Sequence, residues 1–306
     1  MEALEARNLR SRIGAFELGP VDLKVNRGEI VGLIGPSGCG KTLLLRTLAG
    51  LHEPLEGKVF MDGNEVTYLE PHLRGLAFVF QDNALFPHYD THDNIAFPLM
   101  LKKDEETETK VQKRAKELDG LSDYLDRWPR ELPAGMKKLT AIARGTVRKF
   151  NIILMDEPFE RLDKKIRVEL RTLIKRLLMA MGESVLVVLN DPEDAIAIAD
   201  RVYVMNQGKF VQQGDPREVY SEPSSSFVLE LFSTMGLNRL GNALFRPQDV
   251  ELDENGVEVH LEHCGPYDSK RILCNGRIDG SEVVLFLPIF CKDRSVVKIR
   301  ILKFFT

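Results

Sequence analysis

Eight residues near the start of the chain carry the strongest chemistry in the sequence. GPSGCGKT (Gly35, Pro36, Ser37, Gly38, Cys39, Gly40, Lys41, Thr42) has the spacing G-x-x-x-x-G-K-[ST]. The glycines let consecutive backbone N–H groups close around phosphate oxygens, and a helix beginning there adds the positive end of its dipole. Lys41 is placed to reach the outer phosphates, and the Thr42 hydroxyl to coordinate Mg²⁺. A second element, IILMDEP, ends an apolar run in two acids. Asp156 would hold Mg²⁺ through water, and Glu157 would polarise an attacking water. Standing alone, two acids at a strand end have a solvated pair as the lesser alternative reading; beside a phosphate loop they read as its acidic partner.

Those residues need a frame to hold them. The phosphate loop follows the apolar run EIVGLIG and opens into KTLLLRTLAGL, a strand followed by a helix, the setting the motif requires. Downstream, NIILM and SVLVVL have the length and composition of buried strands. KKIRVELRTLIKRLLMAMG reads as an amphipathic helix stopped by Gly182. Charged, helix-periodic DEETETKVQKRAKELDGLSDYLDR reads as a solvated helical face. Strands alternating with helices predict a parallel α/β sheet covered on both faces. After SEPSSS and a short helix over FVLELFSTMG the texture changes to short alternating strands (GVEVHLEHC, KRILCNG, SEVVLFLP, SVVKIRILKFF), which predict a small all-β barrel or sandwich. The expected division is 1–236 and 237–306.

At 306 residues, 43% apolar and 29% charged, the chain has a globular composition, and a net charge of −4 gives no sign of a nucleic-acid partner. No run has signal-peptide or membrane-span character. Cys39, Cys264, Cys274 and Cys291 form no CxxC pair, and a reduced, cytosolic compartment is expected. His260, His263 and Cys264 lie close together but lack an obvious fourth ligand, so a metal site is not expected there.

Taken in order, these segments resemble the ATP-binding subunit of an ABC importer over nearly the whole chain. GPSGCGKT resembles the Walker A motif, and FVFQDNALFPHYDTHDNIAFPL the Q-loop region with Gln81 as switch residue. LPAGMKKLTAIARG resembles the signature segment, IILMDEP the Walker B motif, and FERLD the D-loop ending at Asp163. VLVVLNDPEDAIAIADR resembles the switch region. The resemblance implies a P-loop ABC ATPase fold with a helical subdomain over about 83–145 and a C-terminal OB/TOBE-like β domain. It implies ATP and Mg²⁺ as cofactors, with Thr42, Asp156 and Gln81 on the metal. Ile13, with Phe16 close by, falls where an aromatic usually stacks on adenine. It also implies two ATP-binding subunits facing head to tail, each Walker A against the other's signature segment. Two transmembrane permease subunits would dock through the Q-loop, with a solute-binding protein beyond them and this chain at the cytoplasmic face. The ALFPHYDTHDNIAFPLMLKK segment leans toward sugar or polyol importers.

Besides Ile13, the chain departs from that pattern in two further places. Pro133 stands where the signature serine is expected and has neither a hydroxyl nor an N–H; Ala134 and Gly135 can still donate theirs, and Met136 replaces a glutamine. One lost hydrogen bond to a charged phosphate costs about 1.5–3 kcal/mol, roughly a 10- to 150-fold effect. Asn190 stands where the switch histidine is expected; it hydrogen-bonds but carries no charge, and losing such a preorganised contact costs roughly 10²–10³ in rate. Asn190 weakens the site built on this chain's Walker motifs, and Pro133 the site built on the neighbour's. The expectation is therefore an ATPase with low intrinsic activity paired with a non-identical subunit. The competing reading is a nucleotide-binding structural or regulatory subunit that hydrolyses little. A soluble relative in DNA repair or translation and a P-loop kinase fit the sequence less well.

Overall fold

The computed structural model describes every residue except Thr234 and Thr306. Two compact units form, Met1–Glu222 and Pro223–Thr306, so the contacts divide the chain ahead of the 236/237 boundary expected from texture.

The first unit runs β1 (Glu2–Ile13), β2 (Phe16–Asn26), β3 (Ile30–Ile34), α1 (Lys41–Ala49), β4 (Glu56–Met61), β5 (Asn64–Glu65), β6 (Leu76–Val79), α2 (Thr91–Met100), α3 (Thr107–Glu117), α4 (Ala134–Thr146), β7 (Ile152–Asp156), α5 (Lys164–Met181), β8 (Val185–Leu189), α6 (Pro192–Ile198), β9 (Arg201–Asn206), β10 (Lys209–Gly214) and α7 (Pro216–Ser221). Every residue of β3, β7 and β8 is buried, as continuous apolar runs require in a sheet covered on both faces. These strands lie in a six-stranded sheet of order β10-β9-β3-β8-β7-β6, parallel apart from the β9–β10 hairpin. An antiparallel sheet of order β2-β1-β4-β5 stands beside it. Helix α1 packs on β1 and on β7, so Leu44, Leu45 and Leu48 join both sheets in one core with Leu4, Leu9, Val31 and Leu154.

The C-terminal carbonyls of α1 have an unusual partner. Arg74, 3% exposed, donates to Thr47 O, Leu48 O, Thr67 O and Leu69 O. A guanidinium there opposes the negative end of the helix dipole and satisfies carbonyls that the helix leaves unpaired. Gly50 is tied to this arrangement: a Cβ would stand 2.5 Å from the Arg74 side chain. Helix α5 begins at Asp163, whose carboxylate accepts from Ile166 N at 3.0 Å, and ends at Gly182 in the left-handed conformation, φ 63°, the stop its sequence predicts. The segment expected to form a helical subdomain holds α2, α3 and α4, which pack on one another.

The second unit contains α8 (Ser226–Leu231), β11 (Asn238–Leu240), β12 (Ala243–Phe245), β13 (Val250–Pro266), β14 (Arg271–Ile278), β15 (Ser281–Pro288) and β16 (Val296–Ile301). It is all-antiparallel, as the alternating pattern predicts. Its main sheet has the order β15-β14-β13-β16, with no ladder between the two edge strands among the described residues, and β11 and β12 form a separate two-stranded sheet. One cysteine pairing was not read from the sequence. Cys264 and Cys274 lie directly opposite in the β13–β14 ladder, with Cα atoms 4.1 Å apart, and form a disulfide. The pairing comes from strand register, which sequence spacing does not display. With its sulfur bound to Cys274, Cys264 is removed from any metal set with His260 and His263. Cys39 and Cys291 are free and buried.

Candidate active site at the phosphate loop

The loop between β3 and α1 is held from behind. A Cβ on Gly35 would stand 2.3 Å from Met205 O, so only glycine fits there. The β9–β10 turn braces the other side, where Gly208 N donates to Cys39 O at 2.9 Å and Gly19 N donates to Gly208 O at 2.8 Å. Gly40 caps α1 at φ 110°, and the space beyond its Cα is closed by the Phe16 ring at 3.0 Å. Phe16 is thus the aromatic in touch with the loop, while Ile13 is 56% exposed. Pro36, Ser37 and Gly38 face solvent at the tip. The Lys41 side chain is buried against the loop, its ammonium donating to Gly35 O at 2.7 Å and Pro36 O at 3.0 Å. Cys39 is buried beside it, and burial pushes its thiol pKa up against the opposing pull of the Lys41 charge.

The acids arrive from β7. Asp156 is 3% exposed and accepts from the Thr42 hydroxyl at 3.1 Å. Burial raises its pKa, partly offset by the Thr42 bond. A hydroxyl and a carboxylate side by side at a phosphate loop are hard oxygen donors of the kind Mg²⁺ takes, and the residues present fit that ion. Glu157 follows at φ 48°, a left-handed conformation that costs a non-glycine residue about 1–2 kcal/mol. Gln81, just beyond β6, donates through Nε2 to Glu157 Oε2 at 3.0 Å and to Glu160 Oε2 at 2.6 Å.

Helix α4 begins in the signature segment. Pro133 is its N-cap and supplies no side-chain cap bond; Ala134 and Gly135 occupy its first turn, where N–H groups lack intrahelical partners. A Cβ on Gly135 would stand 3.4 Å from Ile166 Cγ2, so the start of α4 adjoins the start of α5. Asp163, the expected D-loop acid, is the cap of α5. Asn190 is exposed just after β8, followed by Asp191, which caps α6 by accepting from Glu193 N at 2.9 Å.

Thr42, Asp156, Gln81 and Glu157 are therefore linked through two sets of hydrogen bonds around the loop, with Lys41 on its inner side. Among the described residues no hydrogen bond joins the signature segment to the phosphate loop. Three participants went unread in the sequence. Glu160 shares Gln81 with Glu157. Lys138, 3% exposed on α4, donates to Gln81 O at 2.9 Å. Arg144 donates to Asn83 O and Ala84 O, both at 2.9 Å. Helix α4 thus grips the backbone after β6 at three carbonyls. The available signal was a basic residue inside the apolar stripe of α4: Lys138 shares that stripe with Ile142, and a cation there needs a buried acceptor.

The sequence model of the ABC transporter family matches residues 18–160. The sulfate/thiosulfate import ATP-binding protein of Pseudomonas putida is 39% identical over 84% of this chain and 81% of its own length. The chain belongs to the ABC transporter family. The trehalose/maltose import ATP-binding protein of Thermococcus litoralis is 41% identical to this ABC ATPase over 72% of the chain and 61% of that protein. Among solved structures, a dimeric ATP-binding cassette in a post-hydrolysis state bound to ADP and Pi superposes with a TM-score of 0.63 at 27% identity, covering 70% of this chain and 99% of that one. The cbiO1 protein from Clostridium perfringens, described as part of an ABC transporter complex, gives 0.66 at 26% identity, covering 72% and 91%. No described helix of the ABC ATPase is long and apolar enough to cross a membrane.

Proposed function

We propose that this chain is the ATP-binding subunit of a solute importer, and that it drives transport by binding and hydrolysing ATP at the cytoplasmic face of the membrane. Residues 35–42 wrap the phosphates with backbone N–H groups, and Lys41 turns from its loop carbonyls to the outer phosphates. Thr42, Asp156 and Gln81 would hold Mg²⁺, which when bound neutralises phosphate charge. Glu157 accepts a proton from the attacking water. Two permease subunits dock near Gln81 and α2, and an extracytoplasmic binding protein delivers the solute. The Gln81 side chain bridging to Glu157 carries this reading, because it joins the expected switch residue to the expected catalytic acid.

The expected leaning toward sugars or polyols is widened. Sulfate/thiosulfate import proteins match a larger share of the chain than the sugar importer does, so the solute is proposed to be either a small oxyanion or a sugar. The retained Lys41, Asp156 and Glu157 beside the altered Pro133 and Asn190 support pairing with a different ATP-binding subunit. The same two changes favour the second reading, a subunit that clamps ATP and turns it over poorly.

The test is Glu157→Gln in the purified chain and in its native complex. Turnover in the complex is expected to fall by about 100-fold or more while ATP stays bound. Wild-type turnover in the variant would remove Glu157 from the chemistry, and an inactive wild-type complex would favour the second reading.

A further inference from the structure

The Gln81 amide nitrogen meets two carboxylates, Glu157 Oε2 at 3.0 Å and Glu160 Oε2 at 2.6 Å. An ionised carboxylate only accepts, so the amide must turn its NH₂ toward them; the reverse orientation would set oxygen against oxygen. Both N–H donors of Gln81 are then spent inside the protein, and Oε1 is the group left for a ligand. The main chain of Gln81 is fixed as well, because the buried ammonium of Lys138 donates to its carbonyl at 2.9 Å. Glu160 therefore holds the amide of Gln81 while Lys138 anchors its backbone.

We propose that Glu160 is a positioning residue for the ATPase reaction: together with Lys138 it fixes the Gln81 amide so that Oε1, an acceptor, is what Gln81 presents to Mg²⁺ and to the attacking water. One carboxylate, Glu157, is enough to accept one N–H. A second is needed to spend the other and to stop the amide from rotating. The arrangement couples α4 to the acid end of β7 through a single residue, so a shift of the signature helix reaches Glu157 by way of Gln81. The inference rests on the reading of Gln81 and Glu157 given above.

The test compares Glu160→Ala and Glu160→Gln with wild type, by steady-state ATPase and by electron paramagnetic resonance of Mn²⁺ bound with ATP. In Glu160→Ala, kcat is expected to fall about tenfold with the KM for ATP changed less than about twofold, and Mn²⁺ affinity in the ATP complex to weaken by about fivefold. Glu160→Gln keeps an oxygen able to accept from Gln81 and is expected to recover most of both losses. If Glu160→Ala matches wild type in turnover and Mn²⁺ affinity, the inference is overturned. It is equally overturned if the alanine and glutamine variants lose ATP affinity and melting temperature together, which marks a structural role. The Mn²⁺ readout needs no hydrolysis, so an inactive wild type that binds Mn²⁺ more tightly than Glu160→Ala would refute the proposed activity while leaving Glu160 as the residue that orients the Gln81 amide toward the metal.

Discussion

At the scale of single residues, the two departures from the family pattern act through different physics. Pro133 ends a segment in extended backbone, φ −57° and ψ 157°, and caps α4 without a side-chain bond. Serine tolerates that backbone and adds a hydroxyl that can accept from the first turn of α4, a cap contributing about 1 kcal/mol. Pro133→Ser is therefore expected to do two things at once. It should raise the melting temperature by a few degrees, measured by calorimetry on the isolated chain. It should also raise ATP turnover by at least about tenfold by restoring a donor to the phosphate. A gain in stability without a gain in rate would show that the signature segment of this chain contributes nothing to hydrolysis. Asn190 is a different case, because it is exposed beyond β8 and its neighbour Asp191 is committed to α6; replacing it alters no cap and no core contact.

At the scale of elements, the parts visible in the sequence are those with local causes. The buried strands β3, β7 and β8 announce themselves as apolar runs, and α5 by its periodicity and the glycine that stops it. The phosphate loop is fixed by its own glycines and Lys41. The parts that stayed hidden depend on which strands and helices become neighbours. Glu160 acquires its role only because β6 lies next to β7 and brings Gln81 across, and the Cys264–Cys274 disulfide only because β13 and β14 pair in one register. His92, at the start of α2, is another such case. Its Nδ1 meets Asp93 at 3.1 Å and its Nε2 meets Glu108 on α3 at 2.9 Å. Burial lowers its pKa, but the two carboxylates outweigh that and hold it above the ordinary value of 6.5. A folded-state pKa above the unfolded one means the stabilisation is complete below pH 6.5 and is lost as pH climbs through the folded value. Melting temperature measured from acid to alkaline buffer is thus expected to decline across that window, and the slope there to flatten in His92→Gln. Equal slopes would show that the imidazole does not titrate as the link between α2 and α3.

At the scale of the whole molecule, the question is how defects distribute between two sites. In the proposed head-to-tail pairing, Asn190 belongs to the site on this chain's own phosphate loop, and Pro133 to the site on its neighbour's. Two copies of this chain would place both changes in each site. Restoring them would then act on one reaction: the Pro133→Ser and Asn190→His gains would multiply, so that factors of about 10 and 100 give about 1,000. A pairing with a different subunit separates them. Each substitution then repairs a different site, and total turnover in the double variant is close to the sum of the two single variants. The native complex, tagged on this 34.7 kDa chain and weighed intact, is expected to contain one copy together with a second, different ATP-binding subunit. Turnover of the two single variants and the double variant in that complex is expected to follow the sum. Two identical copies by mass, with gains that multiply, would show that this chain pairs with itself and that its low rate is set jointly by the missing hydroxyl and the missing imidazole.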